Sequence, residues 1–186
     1  MTEPEKITFT FCTMLSKEKC KSLWEAAIRV RKTDGEFWDV GCHTGGSSAI
    51  MKLAAPERPI WMFDSFAGLP EGTTEDANNN PGRFAAKFEE IMWMLGPVYP
   101  GWVPETFKGF EDTKIALAHI DLDLYQSTKD ALAFVGPRIV LGGIIVVDDY
   151  GSEGWNGVSK AVDEFLSDEF IVSKEVAEQI TLERKT

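Results

Sequence analysis

Strand-like and helix-like segments alternate along most of this 186-residue chain, and the alternation constrains the fold more than any other feature of the sequence. Apolar runs typical of buried strands are "GEFWDVG", "PIWMFDSF", "KIALAHIDLDL" and "GGIIVVDDY". Apolar residues spaced three and four apart predict helices in "SKEKCKSLWEAAIRVRK", "CHTGGSSAIMKLAA", "STKDALAFVGPRI" and "SKAVDEFLSD". This order predicts an α/β fold, in which helices cover both faces of a mostly parallel sheet.

Weaker segments complete the expected topology. The segment "FAAKFEEIMWML" is predicted to be a helix, with an apolar face made by Phe84, Phe88, Ile91, Met92 and Leu95. We expect "ETFKGF" to form a short strand, and "FIVSK" and "QITLERK" to close the sheet. Because no repeat or long linker divides the chain, residues 1–186 are predicted to form a single domain, with 1–34 as its short N-terminal helical segment.

Composition excludes several classes of partner. The formal net charge of −11 repels phosphate backbones and anionic lipid surfaces, so we expect neither a nucleic acid nor a membrane partner. No apolar run approaches the roughly 20 residues that would span a bilayer.

Cys12, Cys20 and Cys42 lack metal-ligand spacing, and the N-terminus does not resemble an export signal. These features together predict a cytoplasmic protein with reduced thiols.

Carboxylates stand where four of the expected strands end. A single aspartate at such a position is often a helix cap or a turn former. In open α/β sheets, however, ligands bind outside the carboxyl ends of the strands, so four acidic strand ends indicate a ligand site. The residues concerned are Asp39, Asp64, Asp121 with Asp123, and Asp148 with Asp149.

The stretch "DVGCHTGGSS" predicts a tight strand-to-helix turn that a ligand can approach. It departs from the dinucleotide fingerprint because His43 takes the place of the second glycine, which disfavours a pyrophosphate cradle. Asp39 beside the turn instead suits a cationic group, such as an amino group or a sulfonium. Asp64 follows roughly 20 residues later, where such sheets place the carboxylate that binds a ribose. Together the two features suggest S-adenosylmethionine.

Six motifs carry a resemblance to a known family. They are "DVGCHTGGSS", "FDSFAGLPE", "GFEDT", "HIDLDLYQSTKDAL", "GGIIVVDDYG" and "SKAVDEF". In order and spacing the chain resembles the macrocin O-methyltransferase-like family from about Gly35 to Phe165. The resemblance implies an enzyme that depends on S-adenosylmethionine and magnesium and methylates sugar hydroxyls. It also implies the Rossmann-like class I methyltransferase fold, a seven-stranded mostly parallel sheet whose last strand is antiparallel.

The resemblance further implies how the cofactor is held. It assigns the methionine part to Asp39 and the backbone around Gly41, and the ribose to Asp64. The "GFEDT" segment and Ser65 are implied to line the adenine end. The complete implied set of cofactor-binding residues is Asp39, Gly41, Cys42, His43, Thr44, Gly45, Ser47, Asp64, Ser65, Glu111, Asp112 and Asp121.

The resemblance also implies a metal site formed by Asp121, Asp148 and Asp149, with Asp121 as general base. Asp123 either supports the site without binding the metal or holds the helix that follows it. Magnesium prefers carboxylate oxygens, and its charge would offset the repulsion among these acids. An alcohol chelated by the metal becomes more acidic, so a neighbouring carboxylate can take its proton. The expected partner is a small hydroxyl acceptor, a sugar or glycoside, and the family is compatible with a homodimer.

Two other functions remain open at this point. The pattern of Asp121 and Asp123 after an apolar strand also describes haloacid dehalogenase-like phosphohydrolases. In those enzymes the motif opens the chain, and threonine or valine normally stands where this chain has Tyr125. The second alternative is a methyltransferase-like fold that binds a ligand without turnover.

Histidine and tryptophan side chains near the motifs have uncertain roles. His43 and His119 could assist proton transfer, although a local structural role is expected more often. Trp155 is the best candidate to stack on a sugar ring. For Trp93 and Trp102 we expect packing in the core.

Overall fold

The computed structural model describes residues 13–78, 80–91 and 93–186, so the expectations for Cys12 and Met92 lie outside the described residues. Within these residues the α-helices are α1 (Lys17–Val30), α2 (Gly46–Ala54), α3 (Tyr125–Val135) and α4 (Asn156–Phe165). Seven strands are β1 (Glu36–Val40), β2 (Ile60–Asp64), β3 (Val98–Pro100), β4 (Ile115–Ile120), β5 (Ile139–Asp148), β6 (Phe170–Val176) and β7 (Gln179–Arg184). Short 3₁₀ turns span Phe88–Glu90, Trp93–Leu95, Glu105–Phe107 and Gly136–Arg138.

The strands form a single sheet in the order β3-β2-β1-β4-β5-β7-β6. β1 pairs in parallel with β2 and β4, and β5 extends the parallel part beside β4. β7 runs antiparallel between β5 and β6. The predicted fold class is therefore confirmed, including the antiparallel final strand.

Helices cover both faces of this sheet and divide the core into two layers. Phe37 of β1 packs with Leu23 of α1 and Ile50 of α2, whereas the next residue, Trp38, faces the layer that contains Leu132 of α3. Alternation of side chains along a strand sends successive residues to opposite faces, so both layers draw on the same buried strands. Within the described residues no helix has the length and apolar character needed to cross a membrane.

The predicted helix over residues 84–95 is wrong. The backbone of Phe84 has a positive φ of 63°, and Ile91 is extended with ψ 148°, so only short 3₁₀ turns form. Ile91 and Leu95 nevertheless pack into the core layer of α1 and α2. The apolar spacing reflects those tertiary contacts, which override the local preference for a helix.

The predicted strand over "ETFKGF" is also wrong, because Glu105–Phe107 forms a 3₁₀ turn. The third strand is instead Val98–Pro100, which pairs in parallel with the end of β2. At three residues it is too short to give a periodic signal in the sequence.

A long loop after β2 is fastened to the helices on the other side of the sheet. The Asp76 carboxylate accepts the Tyr125 backbone N–H at 2.7 Å, and so caps α3, whose own N-cap residue Leu124 provides no side-chain hydrogen bond. The second oxygen of Asp76 accepts the backbone N–H of Thr73 at 2.7 Å. Asp76 therefore joins this loop to the start of the helix that follows the D-x-D motif.

Two asparagines continue this fastening at the start of α4. The Asn156 side chain accepts the N–H of Ala77 at 2.8 Å and donates to the carbonyl of Glu75 at 2.9 Å. Asn78 donates its amide N–H to the carbonyl of Gly154 at 2.6 Å. The loop is thus held on both sides of Trp155.

Close approach at Gly157 gives a test of this arrangement. A Cβ at this position would lie 2.1 Å from the Asp76 carboxylate and 3.0 Å from the Tyr125 nitrogen. Glycine to alanine in a helix normally stabilises, but we expect Gly157→Ala to lower the free energy of unfolding by about 2 kcal/mol because the cap must move. Asp76→Ala should cost about 1 kcal/mol through loss of the cap.

Urea unfolding measures both effects, with Asp168→Ala as a control at an exposed aspartate. The double variant should lose less than the sum of the two single losses, since both act on the same hydrogen bond. Full additivity would contradict the proposed linkage.

Candidate active site

The carboxyl ends of the parallel strands open into one cleft of about 220 Å³. The sequence-predicted residues that line it are Gly41, His43, Asp64, Ser65, Asp121, Asp148 and Asp149. The structure therefore brings the glycine turn, the predicted ribose carboxylate and the predicted acidic residues to the same place. Met14, Leu15 and Lys19 approach the cleft from the N-terminal side.

The glycine turn lies directly against the chain that carries the acidic motif. Gly41 has a φ of +91°, and a Cβ at this position would lie only 1.8 Å from the carbonyl oxygen of Asp121. The Asp121 N–H donates to the Val40 carbonyl at 2.9 Å, which holds the two strand ends together. Only glycine permits both this conformation and this contact.

Asp64 fixes the turn from the neighbouring strand. Its carboxylate accepts the His43 N–H at 2.8 Å through one oxygen and the Phe66 N–H at 2.8 Å through the other. Burial raises the pKa of Asp64, although both N–H groups oppose that shift. Because a carboxylate has about four lone-pair sites, each oxygen retains the capacity to accept a ligand hydroxyl from the cleft.

Asp39 connects β1, α2 and β4 beneath the turn. It is fully buried, and its carboxylate accepts the Ser47 hydroxyl at 2.7 Å and also the Ser48 hydroxyl. The other oxygen lies 2.9 Å from Nδ1 of His119, which is buried as well. Burial disfavours a charged imidazole, but Asp39 outweighs it and raises the pKa of His119.

Part of the predicted cofactor set does not reach the cleft. The side chains of Asp39, Cys42 and Ser47 are buried, and the Asp39 carboxylate supports the start of α2; its contact with the cofactor stays a prediction. His119 also belongs to this buried joint, which is the hydrogen-bonded group of Asp39, Ser47, Ser48 and His119. Its Nε2 atom has no hydrogen-bond partner among the described residues.

The predicted adenine contacts of Glu111 and Asp112 are also corrected. Both residues precede β4 and so lie at the amino end of the sheet, opposite the cleft. Asp112 there lines a surface depression with Glu36, at the start of β1. The segment after a parallel strand, not the one before it, lies at the carboxyl edge.

Gly101, Trp102 and Val103 follow β3 and line the cleft in their place. Trp102 is 42% exposed and Trp93 is 51% exposed, so the expectation that both pack in the core is wrong. Sequence reasoning missed this segment because β3 itself gave no strand signal.

The acidic residues converge more closely than the sequence indicated. One carboxylate oxygen each from Asp121, Asp123 and Asp149 lies within 4.8 Å of the others. Asp123 and Asp149 both adopt positive φ, of 62° and 63°, which turns the chain at each strand end. The structure thus places Asp123, whose role the sequence left open, inside the cluster.

Asp148 and Lys19 lie at the edge of the cluster. Asp148 accepts the Gln179 amide N–H at 2.9 Å through one oxygen and the Lys19 ammonium at 2.8 Å through the other. The same ammonium is 3.2 Å from Oδ1 of Asp149. Nothing in the sequence pointed to Lys19, which lies on α1, far from these acids along the chain.

The donor set fits a hard divalent cation. Three carboxylates offer oxygens at separations that small side-chain shifts would bring to octahedral geometry, with positions left for other ligands. Burial, with Asp148, Asp123 and Asp149, raises the pKa of Asp121 well above its usual range. Burial, with Asp149 and Asp148, raises that of Asp123 to about 7. A cation would offset this repulsion and favour the ionised forms.

Aromatic side chains form the outer rim of the cleft. Trp155 and Phe84 both line it, and their ring centroids are 6.0 Å apart. The Arg83 guanidinium lies over both rings, at 4.5 Å from Phe84 and 5.4 Å from Trp155. The two rings are tilted by 54° to each other, and their partly apolar surface is suited to contact with a sugar ring.

Comparison with known proteins agrees with this geometry. Residues 6–94 and 97–179 match the model of the macrocin O-methyltransferase (TylF) family. A curated relative from Streptomyces olivaceus, 8-demethyl-8-(2,3-dimethoxy-alpha-L-rhamnosyl)-tetracenomycin-C 4'-O-methyltransferase, is 32% identical over 62% of this chain. The match covers 53% of that relative, so the chain spans about half the length of these curated relatives.

Solved structures share the fold at lower sequence identity. The O-methyltransferase NovP superposes with a TM-score of 0.75 at 24% identity, covering 94% of this chain and 82% of that one. An O-methyltransferase from Bacillus cereus in complex with SAH has a TM-score of 0.63 at 11% identity, covering 98% of this chain and 90% of its own. These likenesses confirm the methyltransferase-type architecture.

The buried joint at Asp39 can be tested through stability. Asp39→Ala removes the acceptor for two serine hydroxyls and the partner of His119, and buried donors left unpaired are costly. We expect a loss of about 3 kcal/mol in the free energy of unfolding, measured by urea denaturation. The exposed Asp34, just before β1, supplies the control: Asp34→Ala should change stability by less than about 0.5 kcal/mol. Equal effects would contradict the structural role of Asp39.

Proposed function

The chain belongs to the macrocin O-methyltransferase family, and we propose that it transfers a methyl group from S-adenosylmethionine to a hydroxyl oxygen of a sugar or glycosylated metabolite. The observation that carries this proposal is the contact between two parts of the cleft. The glycine turn at Gly41 touches the backbone of Asp121, so a cofactor at the turn would lie next to the acidic cluster.

The cofactor side of the cleft would be formed by β1 and β2. Asp64 is oriented by two backbone N–H groups and offers its remaining lone pairs to ribose hydroxyls. The turn from Gly41 to Gly45, with His43 and Thr44, leads into α2, whose N-terminal dipole favours a ligand carboxylate. Trp102 and Val103 supply apolar surface for an adenine ring.

The acidic side would hold magnesium and the acceptor. Asp121, Asp123 and Asp149 converge on one point, whereas both oxygens of Asp148 are engaged by Lys19 and Gln179. We therefore propose Asp121, Asp123 and Asp149 as ligands, and give Asp148 the role of positioning Asp149. The family resemblance instead implies Asp148 as a ligand, and Asp148 would then have to give up its contact with Lys19.

The chemistry divides between the bound groups and the protein. S-adenosylmethionine supplies an electrophilic methyl group on a sulfonium, and magnesium makes a bound hydroxyl more acidic. Asp121 accepts the hydroxyl proton as the oxygen attacks, since it adjoins both the glycine turn and the other carboxylates of the cluster. Leu69 and Trp155 at the rim limit access of water and orient the acceptor.

The acceptor class is inferred from the rim and from the relatives. Trp155 and Phe84 provide aromatic surface that suits contact with a sugar ring, and vicinal hydroxyls are good chelators of a divalent cation. The curated relative from Streptomyces olivaceus is named for a rhamnosyl substrate. A glycoside with two adjacent hydroxyls is therefore the acceptor we propose for this chain.

The alternatives are separated by simple observations. The sheet order and the family match give no support to a haloacid dehalogenase-like phosphohydrolase, which would also ignore S-adenosylmethionine. A binding protein of this fold would bind the cofactor without turnover. Methyl transfer to any hydroxyl acceptor excludes both.

Cofactor binding tests the assignment of Asp64. Isothermal titration with S-adenosylmethionine should show binding to the wild type and at least about tenfold weaker binding to Asp64→Ala, because the ribose hydroxyls lose their acceptor. Glu111→Ala serves as the matched control, since Glu111 lies at the opposite end of the sheet. Equal weakening in both variants would contradict the proposed orientation of the cofactor.

Turnover tests the acidic side. The protein is incubated with S-adenosylmethionine and a panel of glycosides with vicinal hydroxyls, and methylated products are detected by mass spectrometry. EDTA should abolish transfer and added magnesium restore it. Asp121→Asn should lower the rate by about 100-fold or more while leaving cofactor affinity nearly unchanged. Full activity in metal-free buffer would falsify the magnesium mechanism.

A further inference from the structure

A lysine from the N-terminal helix lies inside the acidic end of the cleft. The side chain of Lys19 is only 12% exposed, and its ammonium is 2.8 Å from Asp148 and 3.2 Å from Asp149. Burial opposes the charge of this lysine, but the two aspartates outweigh that penalty and raise its pKa. Lys19 is therefore a fixed positive charge at this position.

Helix α1 is held on the sheet by other residues than Lys19. α1 is attached to the sheet through apolar residues such as Leu23 and Ala27, which lie in the core. Lys21 on the same helix points outwards, with 64% of its side chain exposed. Lys19 instead extends from the first turn of α1 to the carboxyl end of β5. Its partners there, Asp148 and Asp149, are each less than a tenth exposed.

Lys19 and a divalent cation would draw on the same carboxylates. Asp149 belongs to the group of three that converge on one point, and it also accepts the Lys19 ammonium. Two cations held by one carboxylate repel each other strongly at such short separations. Without a metal, the ammonium offsets part of the repulsion among the four aspartates.

We propose that Lys19 is a built-in counter-ion of the acidic cluster, which holds Asp148 and Asp149 in place when metal is absent and competes with a divalent cation for Asp149. The inference rests on the proposed function in one respect, the binding of metal by the cluster. Metal binding then loosens the hold of the cluster on α1. Because Met14 and Leu15, just before α1, line the cleft, metal occupancy is linked to the wall of the cleft.

Metal titration of the metal-free protein tests this competition. Wild type, Lys19→Met and the control Lys21→Met are treated with EDTA, dialysed and titrated with Mn²⁺ and with Mg²⁺ by calorimetry. Lys19→Met should bind both ions about tenfold more tightly than the wild type because the opposing charge is gone. Lys21→Met should match the wild type.

Thermal unfolding in EDTA provides a second readout that needs no metal. Loss of the counter-ion should lower the melting temperature of Lys19→Met by about 3 °C, and that of Lys21→Met by much less. Lys19→Gln, which keeps a hydrogen-bond donor but no charge, should show the same changes in both measurements. If Lys19→Met folds poorly, Lys19→Gln tests the proposal in its place.

The outcomes separate the two proposals. Equal or weaker metal binding by the Lys19 variants overturns the role of Lys19 and leaves the metal site intact. Absence of binding by all of the proteins overturns both the competition and the proposed use of magnesium. Tighter binding together with a lower melting temperature in EDTA supports the inference.

Discussion

Four carboxylates at the ends of β4 and β5 are the constraint on which the rest of the cleft depends. Burial, together with repulsion among them, raises the pKa of Asp121, Asp123 and Asp149, so their proximity is tolerated only with compensation. The Lys19 ammonium and the Gln179 amide contribute to it through hydrogen bonds to Asp148, and the charge of Arg83 acts on Asp123. Helix α1 and strand β7 are thereby tied to the cluster that they enclose.

The glycine turn connects this cluster to the other half of the cleft. Gly41 permits the backbones of β1 and β4 to approach without a side chain between them, and Asp64 fixes the turn from β2. Below the turn, Asp39 joins α2 to His119 of β4. The same few strand ends therefore position both the proposed cofactor site and the proposed metal site, which places the two next to each other.

Most of the fold could be predicted from the sequence because buried strands and amphipathic helices have local patterns. Failures occurred where tertiary contacts replaced local preference. Residues 84–95 have helical spacing, yet Ile91 and Leu95 reach the core from 3₁₀ turns. β3 was not predicted because a strand of three residues gives no periodic pattern. The position of Trp102 in the cleft, just after β3, was therefore not predicted either, and the adenine contacts were assigned to Glu111 and Asp112.

The sequence by itself determined that acidic residues stand at the ends of four strands and that a glycine turn accompanies them. These are local properties, since a strand and the residue after it are adjacent in the chain. Only the tertiary structure decided that Asp39 is buried as a joint, that Asp123 joins the cluster and that Lys19 neutralises part of it. Lys19 and Asp148 are 129 positions apart, and no local pattern records a contact that exists only because the helix packs against the sheet.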